Sequence, residues 1–150
     1  MSIKEQVNSD IKQAMRDKNK PALEALRFLM AAFKEYEVNN HKREEGLGDE
    51  EALQILQSSI KKRRDSIEQF SAAGRSDLVE KEQAGLAVIE RYLPEQLGED
   101  ELRAIIQGAI EETGAQGPKG MGLVMKSVMP KVKGKADGGL INRLVKEALG

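Results

Sequence analysis

The side chains that most often carry out catalysis are scarce in this sequence. His41 is the single histidine, and there is no cysteine, so disulfides and thiolate metal sites are excluded. A general base works only beside a nucleophile or a carboxylate that is held near it, and a Ser–His–Asp triad would have to use this same histidine. No serine stands in a strained nucleophile turn. We therefore expect no catalytic residue and no intrinsic activity.

Acidic clusters and glycines are the other features that could bind a cofactor. Runs of carboxylates occur at Glu44-Glu45, Asp49-Glu50-Glu51, Glu99-Asp100-Glu101 and Glu111-Glu112. All of them fall at predicted helix ends, where carboxylates near a helix start favour the positive end of the dipole. Gly120-Met121-Gly122 follows no strand and lacks the Lys-Ser/Thr pair of a phosphate loop. The sequence predicts neither a metal site nor a cofactor.

Charged side chains are distributed unevenly, although the net charge of the whole chain is only −1. Residues 98–112 carry one basic residue against five acidic ones, a balance of −4. Residues 113–150 carry seven basic residues against two acidic ones, a balance of +5. This last segment favours an anionic partner.

The segment Lys131-Val132-Lys133-Gly134-Lys135 is predicted to be a loop between two helices. Alternate lysines on an extended segment project to the same side, and Gly134 lets a partner approach the backbone closely. The helix that begins at Asp137 presents amide groups beside them, which can also hold phosphate oxygens. Such contacts supply the sequence-independent part of nucleic-acid affinity. The alternative is that the loop is simply solvated.

Aromatic residues are absent after Tyr92. Base stacking is therefore excluded in the C-terminal part of the chain, and a single-strand binder is disfavoured. If RNA is the partner, the backbone shape of a folded RNA must be recognised.

A second basic cluster, Lys61-Lys62-Arg63-Arg64, lies in a predicted helix. At helical spacing its charges spread around the cylinder and do not form one patch. We expect the stems to pack against neighbouring residues while the charged ends stay in solvent. Contact with RNA is the alternative.

Hydrophobic spacing predicts an all-α fold. Apolar residues make up 39% of the chain and charged residues 33%, which suits amphipathic helices with solvated outer faces. Ser2 and Glu5 form a capping box at the first helix. The second helix restarts at Pro21 and should continue to about residue 44, and Asp49 can cap the third.

The third helix carries the clearest apolar stripe, and its 3–4 alternation predicts packing against a neighbouring long helix. The stripe consists of Leu53, Leu56, Ile60, Ile67 and Phe70, with Arg63 at the missing step. We expect the second and third helices to form an elongated antiparallel hairpin. Gly74 fits a C-terminal cap, and Asp77 opens a fourth helix.

Pro94 ends the fourth helix and marks a domain boundary. The prediction is an N-terminal long-helix domain, residues 1–94, and a small C-terminal three-helix domain, residues 95–150. The first of its helices covers about 99–113.

The two remaining helices are separated by the lysine-rich loop. One follows Gly117-Pro118 and ends before Pro130, and the other begins at Asp137. Methionines at positions 121, 125 and 129 share one face of the former. We expect them to pack in the core, although methionine faces also serve adaptable interfaces.

Two stretches of the sequence together resemble the YqeY family. They are Lys62-Arg63-Arg64-Asp65-Ser66-Ile67-Glu68-Gln69-Phe70 with Tyr92-Leu93-Pro94-Glu95-Gln96-Leu97 further on, and Met121-Gly122-Leu123-Val124-Met125-Lys126 with Gly134-Lys135-Ala136-Asp137-Gly138 further on. The likeness runs over nearly the whole chain. Gly85 departs from it, because glutamate is usual there, and a mid-helix glycine costs about 1 kcal/mol of helix propensity.

The second stretch also resembles the C-terminal tail of the B subunit of glutamine-dependent aspartyl/glutamyl-tRNA amidotransferase. In that subunit the tail is a helical appendage that meets tRNA. The resemblance implies that Gly122, Lys126, Gly134, Lys135 and Asp137 are the matching positions. It covers only about residues 95–150, and the catalytic cradle of that subunit has no counterpart here. Amidotransferase chemistry is therefore not implied with the tail.

The charge pattern and this resemblance together define the predicted nucleic-acid contacts. They are Gly122, Lys126, Lys131, Lys133, Gly134, Lys135, Asp137, Arg143 and Lys146.

The resulting functional prediction is a non-catalytic accessory protein that binds tRNA or another structured RNA. One alternative is a protein–protein adaptor that uses the long helices. Another is a component of a carbon–nitrogen ligase system, with glutamine as the amide donor, that acts on aminoacyl-tRNA. The first residues lack the apolar core of a signal peptide, and no run approaches the roughly 18 apolar residues of a membrane span. We therefore expect a cytoplasmic protein without membrane contact.

Overall fold

The fold consists of helices joined by short connections, as a computed structural model of residues 1–150 shows. The helices are α1 (Ile3–Arg16), α2 (Lys20–Asn39), α3 (Asp49–Ala72), α4 (Ser76–Glu90), α5 (Glu99–Thr113), α6 (Met121–Val132) and α7 (Gly138–Leu149). A 3-10 turn, Pro118–Gly120, precedes α6. There is no strand, which confirms the predicted all-α class.

The chain divides into two compact units, Met1–Leu93 and Pro94–Gly150. The N-terminal unit contains α1 to α4 and the C-terminal unit α5 to α7, and each has its own hydrophobic core. None of the helices combines the length and hydrophobicity that crossing a bilayer requires.

Helix α1 begins with the predicted capping box. Ser2 Oγ accepts a hydrogen bond from the Glu5 amide at 3.1 Å, and Glu5 Oε2 accepts one from the Ser2 amide at 2.9 Å. Asp49, by contrast, does not cap α3, because Gly48 is the N-cap residue. Its Oδ1 instead accepts from the Ile3 amide at 2.9 Å and so joins the starts of α1 and α3.

Helix α2 ends at Asn39, earlier than the expected residue 44. The Lys42 amide donates to the Glu37 carbonyl at 2.7 Å and closes the helix end. His41 has a φ of +56°, in the left-handed region, so the helix does not continue through it. His41 therefore lies in an exposed turn and not on α2, where it was expected.

The N-terminal unit is the expected helical bundle, but its hairpin is formed by α3 and α4. These two helices share the most extensive contact, whereas α2 packs mainly on α1 and α4 and touches α3 over a short stretch. The reason is the tight turn at Gly74, whose φ of +70° lets the Arg75 amide reach the Phe70 carbonyl at 2.9 Å. This turn confirms the predicted glycine cap, and it reverses the chain within a few residues.

The core of the N-terminal unit is built from the apolar stripes of all its helices. Its largest fully buried side chains are Val7, Leu26, Leu29, Phe33, Leu56 and Ile89. Tyr92, at the end of the unit, packs against this core and donates its hydroxyl to Asp10 Oδ2 on α1. Burial, followed by that hydrogen bond, raises the pKa of the Tyr92 hydroxyl well above its usual value.

Glu37 is a charged residue inside this core, and its side chain is only 6% exposed. Lys4 Nζ on α1 lies 2.8 Å from both carboxylate oxygens, and the Leu47 amide donates to Oε2 at 3.0 Å. The hydrogen bond from Lys4 is the main reason why the pKa of Glu37 lies below its usual value, with the Leu47 amide adding to it against the opposing effect of burial. The carboxylate thus joins α1, α2 and the loop before α3.

We expect acid to destabilise the N-terminal unit through Glu37. Because its folded pKa is depressed, the stability that its charge contributes is present above the unfolded value of about 4.3 and is lost as the pH falls through the folded pKa. At pH 7 the Glu37→Ala variant should lose about 2–3 kcal/mol of unfolding free energy in urea titrations. The exposed Glu44→Ala variant should stay within about 0.5 kcal/mol of wild type. If Glu37→Ala and wild type show the same acid dependence, this account of the buried carboxylate is wrong.

Arg63 fills the gap in the stripe of α3, as the spacing predicted. Its side chain is 18% exposed, and its Nη1 lies 3.2 Å from Glu82 Oε2 on α4. Gly85, one turn further along α4, is buried, and a Cβ built there would lie 2.3 Å from the same nitrogen. The glycine therefore makes room for the guanidinium group, which accounts for a residue that helix propensity alone disfavours.

A double-mutant cycle between Gly85 and Arg63 tests this contact. With Arg63→Ala in place, Gly85→Ala should stabilise the unit by about 0.5–1 kcal/mol, because only the helix propensity changes. In wild type the same change should gain much less, since the new methyl group displaces the guanidinium from Glu82. Urea unfolding of the four proteins gives the coupling. Equal effects of Gly85→Ala in both backgrounds would show that the two side chains do not interact.

Candidate nucleic-acid interface

The C-terminal unit places its candidate residues on a small three-helix scaffold. Its core is formed by apolar side chains of α5, α6 and α7, including Leu102, Ile106, Val124, Val128, Ile141, Leu144 and Val145. Met121, Met125 and Met129 are partly buried and pack against this core, so the predicted packing role of the methionine face is confirmed. The opposite side of α6 is left to solvent, with Gly122, Leu123 and Lys126 exposed.

The connection between α6 and α7 is shorter and less extended than expected. Helix α6 continues through Pro130 to Val132, although it was predicted to end before the proline. Pro130 removes only one amide near the helix end, so the last turn survives on the packing of Val128 and buried Val132. Lys131 is therefore helical, and the three lysines do not lie on one extended segment.

The loop after α6 is hydrogen-bonded to the first residues of the C-terminal unit. Gln96 Nε2 donates to the Gly134 carbonyl at 2.8 Å, and the Leu97 amide donates to the Lys135 carbonyl at 2.8 Å. Gly134 is buried and has a φ of +78°, a conformation that favours glycine. The Gly134 backbone thus forms the turn and accepts the hydrogen bond from Gln96, and it faces the protein interior.

Asp137 caps α7. Its Oδ2 accepts from the Leu140 amide at 3.2 Å, so a carboxylate already occupies part of the helix start. The sequence had suggested that amides at this end could hold phosphate oxygens. With Asp137 in place, an incoming phosphate would meet a negative charge there, and the residue is better understood as a support for the loop.

Arg143 belongs to a cluster of four ion-paired side chains. Arg103 Nη2 lies 3.0 Å from Glu99 Oε1 and 3.3 Å from Glu147 Oε2, while the guanidinium of Arg143 lies 3.6 Å from Glu99 and 3.7 Å from Glu147. The hydrogen bond to Glu99, followed by the charges of Glu99 and Glu147, raises the pKa of Arg103 against partial desolvation. Glu99 at the start of α5 and Glu147 on α7 therefore share the charge of Arg143 within the unit.

The lysines of the predicted interface fall into two groups. Lys131 Nζ lies 3.5 Å from Glu112 Oε2 and so shares its charge with α5, and Lys133 is half-buried. The exposed lysines without an acidic partner are Lys126, Lys135 and Lys146. Lys119, in the 3-10 turn, is a fourth exposed lysine without an acidic partner. It contributes to the charge balance of residues 113–150 but is not among the contacts predicted from the sequence.

The net charge of the C-terminal unit determines whether the unit as a whole attracts anions. Residues 94–150 carry eight basic and eight acidic residues, so the unit is neutral overall. Affinity for an anion must then come from local separation of charge, because long-range attraction by the whole unit is absent. The ion pairs to Glu99, Glu112 and Glu147 remove Arg143 and Lys131 from that local surface.

The fold and these contacts define the chain as an all-α protein of two helical units, the second of which carries exposed lysines on a glycine-supported scaffold. Among known families, the sequence model described as Yqey-like protein matches residues 4–149. The chain therefore belongs to the YqeY family.

Similar proteins are found in fungi. A protein of Pyrenophora tritici-repentis called Altered inheritance of mitochondria protein 41, mitochondrial, is 37% identical over 96% of this chain and 79% of its own length. A protein of the same name from Lachancea thermotolerans is 32% identical over 87% of this chain and 68% of its own length. These names place those proteins in mitochondria, and the cytoplasmic location of this chain stays a prediction.

Two glycines of the predicted interface should respond oppositely to alanine. Gly134→Ala should cost about 1–2 kcal/mol of unfolding free energy, because alanine resists the left-handed backbone that the loop requires. Gly122→Ala should add about 0.5–1 kcal/mol, because the site is exposed and helical and nothing lies within 4 Å of the new methyl group. Urea unfolding monitored by circular dichroism measures both. Equal effects of the two substitutions would remove the distinction between a supporting and a surface glycine.

Proposed function

We propose that the C-terminal unit binds the phosphate backbone of a folded RNA, and that the chain acts as a non-catalytic accessory protein. The observation that carries this proposal is the group of exposed lysines, Lys126, Lys135 and Lys146, which remain without an acidic partner when the ion pairs of the unit are counted. Lysine ammonium groups on a rigid scaffold are the usual source of phosphate contacts.

Transfer RNA is the first RNA to test. The resemblance of residues 95–150 to the amidotransferase tail supports this choice, because that tail meets tRNA. The C-terminal unit contains no aromatic side chain, so stacking on unpaired bases cannot supply the affinity. Recognition would then depend on the regular spacing of phosphates in a folded molecule, which a small rigid helical unit can match.

The residues proposed to contact RNA are fewer than the sequence indicated. Lys126, Lys135 and Lys146 are the principal contacts. Lys131, in the last turn of α6, shares its charge with Glu112, and the half-buried Lys133 follows the helix. Arg143 contributes less, because its charge is shared with Glu99 and Glu147. Gly134 and Asp137 act by holding the loop, and Gly122 leaves the solvent face of α6 open beside Lys126.

A triple variant tests the lysine surface directly. Changing Lys126, Lys135 and Lys146 to glutamine should weaken tRNA binding and lower the slope of log affinity against log salt by about 2 to 3, because up to three phosphate contacts are lost. Filter-binding titrations at several salt concentrations measure both quantities.

The matched control removes the same charge from the other unit. Lys12, Lys18 and Arg43 are exposed residues of the N-terminal unit, and their triple glutamine variant should bind tRNA as wild type does. Equal affinities and slopes for the two triple variants would end the proposal. Formation of an amide on aminoacyl-tRNA by the purified chain, with glutamine and ATP supplied, would replace it by the ligase alternative.

A further inference from the structure

A groove of about 1000 Å³ opens on the N-terminal unit between α2, α3 and α4. Its apolar lining includes Ala25, Leu29, Ala32, Gly85 and Ile89. Phe28 also lines it, and the Phe28 side chain is 66% exposed. A large aromatic side chain in solvent beside an apolar hollow is typical of the anchor residues of protein interfaces.

The exposed face of α2 continues this surface in both directions from Phe28. Lys20, Glu24, Ala31 and Glu35 line the same groove and are exposed, at spacings of four and seven residues that keep them on one side of the helix. The surface therefore combines a projecting ring, a hollow and a row of charges along one helix.

The charges that line the groove are almost balanced. Four are basic and five are acidic: Lys20, Lys62, Arg63, Lys81, Glu24, Glu35, Asp77, Glu80 and Glu82. A surface of one sign would repel a copy of itself, whereas a balanced one is compatible with self-association. In an interface with two-fold symmetry the same patch occurs on both subunits and must be its own complement.

Among the groove-lining charges on α2, the two at opposite ends of the row have no partner. Glu24 is paired with Lys81 at 3.5 Å, and Arg63 is paired with Glu82 at 3.2 Å. Lys20 and Glu35 have no partner within the chain. The midpoint of these two positions falls between residues 27 and 28, so each lies about 11 Å along the helix from the position of Phe28.

We infer that the chain forms a homodimer through this face of α2. A two-fold axis beside Phe28, with the two α2 helices antiparallel, places Lys20 of each copy opposite Glu35 of the other. The pairing occurs twice, once on each side of the axis. The Phe28 ring of each copy enters the groove of the other beside Ala25 and Ala32.

Lys20 cannot pair with Glu35 of the same chain. Lys20 and Glu35 are separated by about 22 Å along a continuous helix, so their side chains never meet in a monomer. Any coupling between them must therefore arise between copies. This makes a charge exchange a decisive test.

The experiment is sedimentation equilibrium of the full chain over a range of concentrations. Wild type should dimerise reversibly. Lys20→Glu and Glu35→Lys should each weaken dimerisation about tenfold, because each change sets two pairs of like charges against each other. The double variant, which carries both changes, should recover most of the wild-type affinity. Lys20→Glu also places an acid at the start of α2, which favours that helix, so loss of folding would not explain its effect.

A second pair of variants tests the apolar part of the surface. Phe28→Asp should abolish the dimer, whereas Met15→Asp, at an exposed apolar residue that does not line the groove, should leave it unchanged. Circular dichroism melting checks that both variants are folded. A wild-type chain that is monomeric up to about 1 mM overturns the inference. Persistence of the dimer in Phe28→Asp, or failure of the double charge variant to recover, overturns it as well.

Discussion

The carboxylate of Glu37 is the polar contact on which the N-terminal unit depends. It is the charged residue that the core encloses, and it takes bonds from Lys4 on α1 and from the Leu47 amide in the loop before α3. A buried charge is tolerated only when its hydrogen-bonding capacity is met, so burial of Glu37 requires the three segments to come together. The course of the loop then sets where α3 starts, and the turn at Gly74 returns the chain as α4. The groove between α2, α3 and α4 is a consequence of that path.

The C-terminal unit positions the loop between α6 and α7 through backbone amides, one glutamine side chain and one exposed carboxylate. Gln96 and Leu97 donate to the carbonyls of the loop between α6 and α7, and Asp137 satisfies an amide at the start of α7. These hydrogen bonds hold the glycine-containing loop between α6 and α7 in a defined shape. Lys133 and Lys135, which belong to this loop, gain a fixed backbone position from this support.

Acidic residues in both units have structural roles that explain their clustering. Asp49 accepts a hydrogen bond from the Ile3 amide. Glu99 and Glu147 form ion pairs with two arginines, and Glu112 forms one with Lys131. The charge balance of +5 over residues 113–150 was correct as a count, yet it overstated the free positive surface. Glu112 and Glu99, which share the charges of Lys131 and Arg143, lie much earlier in the chain on α5 and come next to these cations only in the folded unit.

The helical class, most helix ends and the family can be predicted from the sequence, because these depend on local spacing, on capping residues such as Ser2 and Gly74, and on motifs along the chain. The inward position of Arg63 and of the methionines on α6 could also be predicted, since helical periodicity assigns each residue to a face. The pairing of the helices, the reason for a glycine at position 85 and the set of cations without an acidic partner are visible only in the folded chain. These properties depend on contacts between residues far apart in the chain, such as Arg63 with Gly85 and Arg143 with Glu99, and no local pattern records such distances.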